Sequence, residues 1–283
     1  MGRIRYFEPA AELRPYLSSY YWFETDAALV DDLIRAELGQ VRFIVAGSSA
    51  YCFDGRYVDC PSTVLTGPTL SPVRFIAEGP LKVFGAGILP AGWSALIREA
   101  ADRLADDAID LGDLGGPVGP AARDCLGRLT AAASDGERVA AADAFFTTLG
   151  RRARAVPRWF TQLTDDWLTA SPNPQVDALI AASAMSSRQV ERLCQRVYGG
   201  SPKVLARKYR ALQAAARLGD DDARGWADAA GEAFYDQSHF IREFKQFIGT
   251  TPNRFAGAAA GAVQLAAARR RMLPNLPKLA LYS

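Results

Sequence analysis

The rhythm of hydrophobic and polar positions changes near Gly92. Before it, apolar residues come in short runs rich in Val, Ile, Phe and Tyr: Tyr20–Phe23, Val41–Val45, Ala50–Phe53, Val73–Ala77 and Leu81–Ile88. Between them stand Ala46-Gly47-Ser48, Asp54-Gly55, Gly67-Pro68 and Glu78-Gly79-Pro80. Branched and aromatic side chains suit a pleated surface, so runs bounded by such turn residues predict strands. Asp54-Gly55 predicts a hairpin joining Ala50–Phe53 to Arg56–Val58, because both residues tolerate positive φ. Many short strands at this spacing predict a small barrel or sandwich.

After Gly92 the apolar positions recur at helical spacing, over Trp93–Leu104, Ala121–Thr130 and Arg138–Leu149. Leu111–Pro120 is expected to be a loop, and Leu163–Ala170 to end a further helix. Ser171-Pro-Asn-Pro174 breaks the chain, since each proline disfavours helix for the residue before it. From Gln175 to about Phe255 the pattern is one of short helices. The fold class is therefore α+β. The predicted division is residues 1–165, residues 171–256 and a tail over 257–283.

The helical part contains two similar units. In the first, Val176–Ala181 is an apolar helix, Ala184-Met185 a turn and Ser186 an N-cap, whose hydroxyl accepts from free amides of the next turn. In the helix that follows, Val190, Leu193, Cys194 and Val197 form one stripe. Arg188, Glu191, Arg192 and Gln195 form the opposite one, beginning beside Ser187. Gly199-Gly200 stops this helix, and Ser201-Pro202 opens a long one carrying Lys203, Arg207, Lys208 and Arg210. The second unit runs from a helix over Trp226–Phe234 through a turn at Tyr235 to an N-cap at Asp236. Phe240, Phe244 and Phe247 make its stripe, while Gln237, Ser238, His239, Arg242 and Lys245 lie outside it. Arg donates two parallel bonds to guanine, and Gln pairs both ways with adenine. Two such helices held apart by a long one would enter successive major grooves, with the flanking Lys and Arg holding phosphates.

Charge sharpens this reading. The first 150 residues hold 13 Lys and Arg against 20 Asp and Glu, and the remaining 133 hold 20 against 11. A basic half behind an acidic one points to a nucleic-acid or membrane partner for the second half. A single histidine, His239, excludes metal centres built on several histidines. Cys52, Cys60, Cys125 and Cys194 have no paired ligand spacing and are read as buried thiols. Ser238, His239 and Asp236 are too close along one helix to assemble a catalytic triad. No enzyme activity, cofactor or metal is expected. No apolar run is long enough to cross a membrane, and no secretory leader is evident, so a cytoplasmic location is expected. Two other functions compete with DNA reading. One is a helical protein-interaction module, the other an enzyme acting on a small molecule in the first half. Apart from any catalysis, aromatics at the mouth of the expected barrel could hold a small molecule: Trp22, Tyr51, Phe53 and Trp93 are the candidates, with Arg42 or Arg74 as an anion partner.

Ala233-Phe-Tyr-Asp-Gln-Ser-His-Phe-Ile-Arg-Glu-Phe-Lys-Gln-Phe-Ile-Gly-Thr-Thr-Pro252 resembles the signature GF-x-D-x-S-x-F-x-R-x-F-K-x-x-x-G-x-TP of AraC-type (AraC/XylS) transcriptional regulators. Met185–Arg196 with Gly199–Pro202 resembles the looser first half of the same domain. Ala233 and Ala184 stand where the family usually has glycine, and Glu191 where it often places a neutral reader. Phe7-Glu-Pro9, Leu13-Arg-Pro15, Tyr21-Trp22, Gly67-Pro68 and Gly87–Gly92 resemble the cupin-like sensor domains attached to such regulators. The resemblance implies an N-terminal cupin-like β-barrel with helices and a C-terminal domain of two helix-turn-helix units. It also implies double-stranded DNA and a small-molecule effector as partners, a second copy of the chain, and RNA polymerase if the protein activates.

Overall fold

The computed structural model describes residues 2–97, 99–150, 156–219, 233–257, 273 and 276–282. Its N-terminal part is one antiparallel sheet built on two long strands, β4 (Gly39–Phe53) and β7 (Val73–Ile88), which pair from Gly39↔Ile88 to Cys52↔Arg74. The sheet path is β1 (Arg3–Phe7), β2 (Leu17–Thr25), β7, β4, β6 (Thr63–Thr66) and β8 (Ala108–Asp110). β3 (Leu29–Ile34) lies along β7, and β5 (Arg56–Asp59) along β4.

Each long strand reads in the sequence as two strands with a turn between them. Gly47 and Gly79 are bends within continuous strands instead. Gly47 has φ +86°, and the ladder shifts register on both sides of Ala46. A Cβ on Gly47 would stand 2.7 Å from the Pro80 carbonyl oxygen, and one on Gly79 only 2.0 Å from that of Ala27. Extra residues in one strand bend it and increase its twist. The expected hairpin forms, with Asp54 and Gly55 at positive φ and Phe53 opposite Arg56.

One sheet face carries Val41, Phe43, Phe84, Ala86 and Ile88, which pack on α2 (Val118–Ala131) and α3 (Asp135–Leu149). Phe43 meets Phe145 edge to face at 5.4 Å. The other face carries Ile44, Leu81 and Val83 with Tyr21, and farther along Tyr51 and Phe75. The helix expected over Trp93–Leu104 is shorter: α1 spans Pro90–Leu96, and only a 3₁₀ turn at Ala101–Arg103 follows. Pro90 starts α1 where a missing N–H costs nothing. Within the expected loop, Leu111–Leu114 is a 3₁₀ turn and α2 begins at Val118.

The second core is helical. It joins α4 (Arg158–Ala170), α5 (Val176–Ser183), α6 (Ser187–Tyr198), α7 (Pro202–Leu218), α8 (Gln237–Ile248) and α9 (Pro252–Gly257). Phe160 and Leu168 of α4 belong to this core, so residues 158–165, expected with the first part, pack with the second. An amphipathic stripe announces a buried face without naming what buries it. In the tail, α10 (Lys278–Tyr282) packs Leu279 and Ala280 into the helical core against α4 and α7. The helix expected over Trp226–Phe234 lies outside the described residues except for Ala233 and Phe234, as does Arg269–Arg271.

The two parts are joined through residues 36–39. The Ala36 N–H donates to the Phe247 carbonyl at the end of α8 (2.8 Å). Leu38 and Leu89 enter the helical core. The Lys208 ammonium, on α7 and 1% exposed, donates to the carbonyls of Glu37 and Thr69, both at 2.8 Å.

Candidate nucleic-acid interface

α6 starts with a reciprocal cap: Ser186 accepts from the Gln189 N–H, and the Gln189 side chain accepts from the Ser186 N–H. Such boxes satisfy amides that the helix itself leaves unpaired. Val190, Cys194 and Val197 are buried. That orientation leaves Ser187, Arg188, Glu191 and Arg192 exposed and Gln195 half-buried. Gly199 ends the helix at φ +80°. Ala184, in the turn before it, takes the left-handed conformation, φ +53° and ψ +26°. The usual glycine geometry is thus kept by a residue that is strained in it. Ala184→Gly is expected to raise stability by about 0.5–1 kcal/mol, measured by urea denaturation. A loss of stability would place the strain elsewhere.

α8 repeats the construction. The Asp236 carboxylate accepts from the His239 N–H at 2.7 Å. Phe240, Phe244 and Phe247 are fully buried. Gln237, Ser238, Arg242 and Lys245 are exposed. His239 is half-buried, its ring edge-on to Phe234 at 5.6 Å and its Nε2 3.5 Å from a Glu243 carboxylate oxygen. With Asp236 serving as the cap, Asp236, Ser238 and His239 make no triad.

The cations of α7 divide. Lys203 is exposed. Lys208 is buried at the junction, and Arg207 and Arg210 both bind Glu243. Three of the four side chains expected to flank DNA therefore face protein. Helical spacing places a residue on a face, but burial of a long cation depends on acceptors brought from elsewhere in the chain. Burial alone would raise the Glu243 carboxyl, but the Arg210 and Arg207 guanidiniums hold it below the usual carboxylate range. Glu243 is not legible as a site residue, since nothing near it in the sequence signals its partners. Two further cations outside the expected set, Arg196 and Arg254, are exposed. Arg196 was legible as the residue one turn beyond Arg192.

The candidate effector residues lie in three places. Trp22 is buried on the helix-facing side of the sheet, with the Arg138 guanidinium 4.3 Å over its ring. Trp93 lines a small cleft at the junction with Pro68, Tyr198 and Lys208, and donates to the Glu99 carbonyl. Arg42, Tyr51 and Phe53 come together on the opposite sheet face. There Arg42, 7% exposed, donates to Glu37 (2.6 Å), Tyr21 (2.6 Å) and Thr66 (3.1 Å) and lies 5.7 Å from the Tyr51 ring centroid. Arg74 pairs with Asp31 through both carboxylate oxygens at the surface. Cys125 and Cys194 are buried as expected, whereas Cys52 and Cys60 are half-exposed. Among the described residues no three His, Cys, Asp or Glu side chains converge as a metal site. No described helix is long and apolar enough to cross a membrane.

A helix-turn-helix domain family matches residues 179–258. No curated protein matches the chain. Among solved structures, ToxT from Vibrio cholerae is 10% identical with a TM-score of 0.46, over 92% of this chain and 99% of that one. The AraC-like transcriptional activator CuxR is 13% identical with a TM-score of 0.31, over 75% of this chain and 86% of that one. The described residues within the match run from α5 to α9, with both capped helices inside it. The chain thus carries a helix-turn-helix domain over residues 179–258.

Proposed function

We propose that the protein reads two successive major grooves of one duplex, α6 entering the first and α8 the second. Arg188, Arg192 and Gln195 would read base edges in one groove, and Gln237 and Arg242 in the other. Glu191 suits a cytosine amino group, which needs an acceptor. Ser187, Ser238, His239 and Lys245 would flank these readers, and Lys203, Arg196 and Arg254 would meet phosphates. The observation that carries this reading is the matched pair of capped helices, each with its apolar stripe buried and its polar row exposed. The test is footprinting on a duplex selected from random sequence by the full chain. Two protected stretches are expected about one helical turn apart. Affinity should fall roughly a thousandfold between 50 and 200 mM salt if six phosphates are contacted. Sequence-independent binding would favour the protein-interaction reading.

The N-terminal part, through α3, would act as the controlling domain. Its signal would enter at Arg42, whose guanidinium suits a small anion competing with Glu37. Glu37 ties that site to the helices, because its carboxylate holds Arg42 and its carbonyl accepts from Lys208. An effector controls DNA binding only if it interacts differently with two states of the protein, and this shared residue offers a route for that difference.

A further inference from the structure

We propose that Glu243 is a positioning residue: gripped by Arg207 and Arg210, it fixes how α8 stands against α7 and so sets the spacing between the two DNA boxes. The inference rests on the two-groove reading above and adds what holds the second reading helix in register with the first.

Glu243 sits between Arg242 and Phe244 but does not share the exposed row, being 2% exposed. Arg210 engages both of its oxygens, Nη2 at 2.7 Å and Nε at 2.8 Å, and Arg207 adds Nε at 2.6 Å. A guanidinium fork on a carboxylate is directional, whereas apolar contacts such as those of Phe240 and Phe244 are not. The fork therefore restricts rotation and sliding of α8 that the apolar stripe alone would allow. The network continues on both sides. Arg210 Nη1 donates to the Asn173 side chain (2.8 Å), just ahead of α5 in the first unit. Arg207 Nη2 donates to Gln246 on α8 (2.6 Å). One chain of charge-assisted bonds thus runs from the entry of the first unit, across α7, to the second reading helix.

The test uses the full chain, the selected duplex, the same duplex with one base pair inserted between the boxes, and one with the second box scrambled. For the wild type, insertion is expected to weaken binding at least tenfold. Glu243→Gln should weaken binding to the selected duplex about tenfold, lose most of the insertion penalty, and leave affinity for the scrambled duplex unchanged. Arg207→Lys, at a half-exposed position, should show the same pattern more weakly and reports if Glu243→Gln melts the domain. An unchanged insertion penalty in both variants overturns the proposal, as does equal loss on all three duplexes, which marks a merely structural role. A wild type indifferent to both insertion and scrambling overturns the two-groove reading itself.

Discussion

Lys208→Met will destabilise the full chain by an amount that grows with pH, from about 1–2 kcal/mol at pH 7 to about 3–4 kcal/mol at pH 10. The reason lies in what the amine does at the junction. It donates to the carbonyls of Glu37 and Thr69; methionine removes the donor to both, and only the Glu37 carbonyl keeps another, the Thr69 N–H at 3.1 Å. Against that loss stands the cost of burying a charge. Burial draws the Lys208 amine down to about 8, an effect that nearby Asp106 and Glu37 partly oppose. The unfolded chain keeps its lysine near 10.4, so between about pH 8 and 10.4 the unfolded state binds more protons than the folded one. Wild-type stability from this group therefore rises through that window. The neutral amine still has two N–H donors, enough for both carbonyls, so the hydrogen bonds survive deprotonation while the charge penalty disappears. Urea denaturation of both proteins at pH 7, 8.5 and 10 reads the difference. A gap that stays constant with pH would mean that the amine is hydrated in solution and the junction is held by other contacts.

Arg242→Ala is expected to weaken binding to the selected duplex by about 1–3 kcal/mol, roughly 5- to 150-fold, and to relax preference at one base pair. Arg242 is exposed on α8 with its aromatic neighbours Phe240 and Phe244 fully buried, so stability should stay within about 0.5 kcal/mol of wild type. Binding measured on duplexes with each position varied separates two roles. A base reader loses discrimination at one position. A phosphate contact, the role proposed for Arg196, loses affinity equally on every sequence and lowers the salt slope by about one. Uniform loss would move Arg242 into the second class and leave Gln237 as the reader of its groove.

The legible parts of this protein are those governed within one or two helical turns. The Ser186 and Asp236 caps, the buried Val190 and Phe240 stripes and the exposed rows opposite them all follow from spacing and hydrogen-bonding chemistry near in sequence. The Asp54-Gly55 hairpin follows from backbone permissiveness at two residues. Less legible were β3 and β6, one an exposed edge rich in Asp and the other four residues long, neither with a distinct alternating signature. Gly47 and Gly79 were ambiguous for a physical reason. A glycine marks an unusual backbone, but turn and bend both need one, and only the neighbouring strand decides between them.

The sequence by itself determined the two capped amphipathic helices, their outward rows, the basic second half and the exclusion of a multi-histidine metal centre. It did so because each depends on residue type and short-range periodicity. Only the tertiary structure decided which cations face outward. Lys208 finds its carbonyls on two separate loops, 139 and 171 residues away, and Arg210 finds Glu243 33 residues on. It also decided that α4 packs with the helices and that Trp22 and Arg42 lie on opposite faces of the sheet. A buried charge is stable only where distant acceptors converge on it, and that convergence is a property of the packed chain.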